Sequence, residues 1–136
     1  SIRRVTDALD AERIAIREAL GYAAPHFPLA DHYASEGDEW MYGRGAHGKL
    51  TDSGDWRETI DLHSHRYMLE DTRLGLSFLV SAGRWADVPT PVAQGLLSLA
   101  SAITGRDLYA EGRTLEGLGL DALSRRSMAE LLAQGC

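Results

Sequence analysis

Residues 72–91 read TRLGLSFLVSAGRWADVPTP, and the reading of this stretch decides the fold. From Thr72 to Trp85 it is apolar on most sides, through Leu74, Leu76, Phe78, Leu79 and Val80, which predicts a helix set in a core. Val88-Pro89-Thr90-Pro91 then stops one helix and starts another. Thr90 suits the N-cap, and Pro91 suits the first helical position, where its missing N–H would have no partner anyway. Val92, Leu96, Leu99 and Ile103 follow at steps of four, three and four, so the pattern puts these four on the buried face. Gly105 ends that helix.

Working outward, residues 56–86 as a whole read as mostly helical. Residues 2–20 form an amphipathic helix with Ile2, Val5, Leu9, Ile16 and Leu20 on one stripe, closed by Gly21. A short helix fits HFPLADHYASEG, with Phe27, Leu29 and Tyr33 inward and Pro28 near its start. Residues 37–55 are rich in glycine and polar residues, as expected of a short helix and an ordered loop. Thr114-Leu115-Glu116 makes one turn, and a closing helix starts near Ser124. Ser124 is one candidate cap there, and the Ser127/Glu130 capping-box spacing is another. Nothing alternates with a period of two. The fold expected is all-α, one compact multi-helix domain spanning residues 1–136.

Composition bounds the function. With 20 Asp+Glu against 14 Lys+Arg, a net charge of −6 argues against a nucleic-acid binder and against a polybasic membrane-surface module. The single cysteine, Cys136, excludes an internal disulfide framework and a cysteine-built zinc site. No apolar run approaches the roughly 18 residues of a membrane span. The opening SIRRVTDALDAER is too polar for a signal peptide, which points to a cytoplasmic protein. The start at Ser1 without a methionine suggests a processed chain or a piece of something larger.

Three motifs invite chemistry. Gly43-Arg44-Gly45-Ala46-His47-Gly48 matches the G-x-G-x-x-G fingerprint, but neither a buried strand before it nor a helical face after it is present, so it reads as a loop. His26, His32, His47, His63 and His65 come with no HExxH or CxxC; on a helix His63 and His65 would diverge by about 200°, whereas on an extended segment they could share a metal. The densest polar stretch is His65-Arg66-Tyr67-Met68-Leu69-Glu70-Asp71. A helical Arg66–Glu70 pair there is worth only about 0.3–0.5 kcal/mol. Arg66 and Asp71, about 140° apart on an α-helix, would instead face different partners, such as a carboxylate and a cation. Trp40, Trp56 and Trp85, with Tyr22, Tyr33, Tyr42, Tyr67 and Tyr109, could line a pocket, and Trp85 is expected in the core.

Four blocks in order resemble the C-terminal domain of the octopine/nopaline type opine dehydrogenases. They are Asp10–Ala15 (DAERIA), His65–Asp71 (HRYMLED), Val88–Pro91 (VPTP) and Glu111–Leu120 (EGRTLEGLGL). The resemblance implies the substrate domain of a two-domain NAD- or NADP-dependent oxidoreductase. Such an enzyme condenses an amino acid with an α-keto acid and reduces the imine. It further implies an N-terminal Rossmann domain of the same protein that binds the dinucleotide, so that no cofactor or metal site is expected in this chain. On the family motif, Arg66 would bind a substrate carboxylate with His65 and Tyr67 beside it. Asp71 would orient a catalytic histidine outside this chain. Neither His26 nor His65 matches the family's Asn-x-x-x-His-Pro segment, so this chain alone is expected to be inactive. Where the family often reads Glu-Asp-Val-Pro, this chain has Glu70-Asp71-Thr72-Arg73. The other reading is a non-catalytic helical interaction module, and a homodimer suits either.

Overall fold

The computed structural model describes residues 2–32 and 59–135. The expected loop at 37–55 with its Gly43–Gly48 motif, together with Tyr33, Trp56 and Cys136, lies outside these residues. The described residues contain helices and turns and no strand, as an all-α chain requires. In order they are α1 (Ile2–Ala19), α2 (Leu29–His32), a π-helix (Tyr67–Leu76) that runs directly into α3 (Ser77–Ala86), α4 (Pro91–Thr104) and α5 (Arg125–Gln134). None is long and apolar enough to cross a membrane.

The π-helix packs on α4, while α1 lies against both α3 and α4. The buried centre is Val80, Ala93, Leu97, Ala100 and Leu108, with Leu9, Met68, Leu76, Leu79 and Tyr109 around it. This corrects the face expected for α4. Ala93, Leu97 and Ala100 point inward, whereas Leu99 is 59% exposed and Ile103 is 42% exposed. The helix carries apolar residues on two sides, and close packing selected the side with alanines. The same preference rules α3, which buries Ser77, Val80, Ser81, Gly83 and Ala86 while Phe78 is left exposed. A Cβ on Gly83 would come within 2.6 Å of Thr90 Cγ2 and 2.9 Å of the Val88 carbonyl, so the α3–α4 corner admits no side chain there.

Helix ends follow local chemistry closely. Gly21, at φ +84, lets Tyr22 N–H reach the Arg17 carbonyl and Gly21 N–H reach that of Glu18, the Schellman pattern. Asp87, at φ +57, repeats it after α3. Ser124 is the cap of α5, its Oγ accepting from Ser127 N–H at 3.0 Å, while Glu130 pairs with Arg126 instead. Three other expectations fail. Ile2 and Val5 are exposed, so only the later part of the α1 stripe is used, and Phe27 points outward. Helix does not extend back through 59–65, because the Asp61 carboxylate draws His63 N–H and Ser64 Oγ into a tight turn. Those two donors hold the Asp61 carboxyl below its usual range, the Ser64 hydroxyl most of all.

Thr90 occupies the N-cap of α4 with Pro91 next, but the Thr90 side chain makes no capping bond. The cap comes from Glu12 of α1, nearly buried, whose carboxylate oxygens accept from Val92 N–H at 2.6 Å and Ala93 N–H at 3.0 Å. A carboxylate on two orphan donors at the positive end of a helix is a charge-assisted contact. Glu12→Ala is therefore expected to lower unfolding free energy by about 2 kcal/mol, measured by urea denaturation. A loss below a few tenths would show that water replaces the cap.

Candidate functional site

The His65–Asp71 stretch begins at the end of the Asp61 turn, and His65 N–H donates to the Asp61 carbonyl at 2.8 Å. The His65 Nδ1 accepts from Tyr67 N–H at 3.2 Å, which leaves the proton of the neutral ring on Nε2. The two rings lie 4.6 Å apart at a 54° tilt, and the Arg66 guanidinium stands 5.8 Å from the Tyr67 ring centre. His65, Arg66 and Tyr67 are thus brought together at the start of the π-helix. Arg66 also lies 3.6 Å from Glu70, with both side chains largely exposed, so this pair contributes little to stability and leaves the guanidinium accessible.

Asp71 is exposed and has no hydrogen-bond or ion-pair partner among the described residues. The 140° separation of Arg66 and Asp71 does not apply, because Asp71 lies in a π-helix. Its i→i+5 bonding stacks residues five apart more nearly over one another, and π-turns are frequent at functional sites. The half-buried Arg73 turns back on its own element, with Nε 3.3 Å from the Leu69 carbonyl.

A second network, for which no motif in the sequence is a signal, braces the far side of α3. Ser81 Oγ donates to Glu116 at 2.7 Å and accepts from Leu115 N–H at 2.7 Å, and Tyr109 Oη donates to the same carboxylate at 3.1 Å. The Ser81 hydroxyl, foremost, keeps the Glu116 carboxyl below its ordinary value. Burial, then the bond to Glu116, raises the Tyr109 phenol. Trp85, expected in the core, is only half-buried, its indole N–H on the Leu123 carbonyl at 3.0 Å. Among the described residues, no three His, Cys, Asp or Glu side chains form a metal-binding group. Nor, with no strand, do they form the strand–glycine turn–helix cradle of a dinucleotide.

Residues 1–104 match the family described as NAD/NADP octopine/nopaline dehydrogenase, alpha-helical domain. The chain belongs to that family. One curated relative, the opine dehydrogenase of Arthrobacter sp. (strain 1C), is 33% identical over 135 residues, covering 91% of this chain and 34% of the relative. The chain thus spans about a third of that relative's length.

Proposed function

We propose that this chain is the substrate-holding helical domain of an NAD- or NADP-dependent oxidoreductase that condenses an amino acid with an α-keto acid and reduces the imine. The observation that carries the reading is the exposed Arg66 and the unpartnered Asp71 on one π-helix, within the stretch matched to the opine dehydrogenase helical domain. A guanidinium fork suits a substrate carboxylate. A free carboxylate five residues on suits the support of a histidine supplied by another part of the enzyme. His65 and Tyr67, whose rings meet at a tilt, shape the approach to Arg66. Binding of the dinucleotide falls to a separate Rossmann domain, since the described residues do not fit it.

The test is steady-state kinetics on the enzyme containing this chain and its dinucleotide-binding domain. Arg66→Ala is expected to raise the substrate KM by about 50-fold, with cofactor affinity unchanged and Arg66→Lys intermediate. Unchanged kinetics would remove Arg66 from the site. The outward stripe of Leu99 and Ile103 favours a second reading, a helical docking or dimerisation module. An intact protein that self-associates through these residues but has no reductase activity would support that reading.

A further inference from the structure

A cavity of about 550 Å³, which includes none of residues 65–71, opens between α3, α4 and the turn after α4. Its lining includes Arg84, Gln94, Ser98, Ser101 and Tyr109. Arg84 lies in the last turn of α3, its guanidinium carbon 4.5 Å from the centre of the Tyr109 ring. That ring is itself held, because its hydroxyl is bonded to Glu116 and Glu116 is bonded to the buried Ser81. Stacking uses the face of a guanidinium and leaves its N–H edge for an oxyanion. Among the described residues Arg84 has no ion-pair partner.

Arg106 and Asp107 line the same cavity. Arg106 is paired with Glu111, and Asp107 Oδ1 accepts from the backbone N–H groups of Tyr109 and Ala110. Ser101 Oγ accepts from Leu108 N–H at 3.2 Å, which leaves its own proton to donate. The concavity therefore presents the Arg84 guanidinium, which has no ion-pair partner among the described residues, and hydroxyl donors, beside the Asp107 carboxylate.

From this geometry we propose that the Arg84 cavity is a binding site for a small carboxylate, with Ser98 and Ser101 as accessory donors. The assignment stands independently of the reading made for Arg66.

The test is ¹H–¹⁵N NMR on the full chain, titrated with acetate, inorganic phosphate and chloride at matched ionic strength. Acetate is expected to give saturable shifts at the Arg84 Nε–H and at the Ser98 and Ser101 amides, and chloride none. Arg84→Gln should weaken the acetate response by about tenfold or more, Arg84→Lys should fall between, and Arg66→Ala should leave it unchanged. Ser98→Glu, at an exposed position, places a carboxylate in the cavity and should abolish the response even if Arg84→Gln fails to fold. Shifts at Arg84, Ser98 and Ser101 that do not saturate or that survive Arg84→Gln would overturn the site, whereas shifts confined to residues 65–71 with none at Arg84 would place acetate at Arg66 alone and overturn it too. Phosphate binding as tightly as acetate would overturn its assignment to carboxylates.

Discussion

Asp71→Asn, in the proposed two-domain enzyme, is expected to lower kcat by on the order of 100-fold and leave substrate KM within a few-fold. The expectation rests on the proposed role of Asp71 as the carboxylate that supports a histidine. A carboxylate beside an imidazole favours the charged ring and raises its pKa, whereas an amide does not. When that histidine serves as proton donor to the forming product, it must be protonated. Losing the carboxylate lowers its pKa, so the alkaline limb of the kcat–pH profile moves to lower pH. Thermal stability should not change, because Asp71 is exposed and has no partner among the described residues. A variant with raised KM, normal kcat and an unmoved pH profile would make Asp71 a substrate-binding group instead.

Gly112→Ala is expected to destabilise the fold by about 3 kcal/mol, among the larger costs of overpacking. A Cβ at Gly112 would fall 2.5 Å from Ser77 Cβ and would also collide with Ser77 Oγ and the Arg73 carbonyl. Ser77 is fully buried, and its hydroxyl donates to that same carbonyl where the π-helix becomes α3. Ser77→Ala in the same chain removes one obstacle but not the backbone oxygen, so the double variant should recover only part of the loss. Urea denaturation measures both. A Gly112→Ala protein as stable as the parent would mean that the 108–113 turn can move off the helix, contrary to its tight packing.

Fold class and most helix ends were legible because they depend on neighbours in sequence. Gly21, Gly105, Pro91 and Ser124 act within one turn, and the structure uses all four at helix ends as their chemistry dictates. The choice of buried face on α4 was not legible. Val92-Leu96-Leu99-Ile103 is the more hydrophobic stripe, yet Ala93-Leu97-Ala100 is buried, because it is the face that meets Val80 and Leu108 in the assembled core. For the candidate site, the stretch His65–Asp71 could be found from its residues and its resemblance. Its geometry could not, since the angle between Arg66 and Asp71 depends on a π-helical backbone that hydrophobic periodicity does not encode.

The sequence alone therefore determined the all-α class, the positions of several helix ends and the family resemblance carried by its four blocks, since each rests on local spacing and composition. The tertiary structure decided which face each helix buries and which group finishes each end. Glu12 caps a helix about eighty residues away. Arg125 binds the last carbonyls of both α1 and α3. Ser81 meets Glu116 only after the chain has turned back. Those contacts depend on how closely backbones approach, a quantity fixed by the assembled packing and absent from any single stretch of residues.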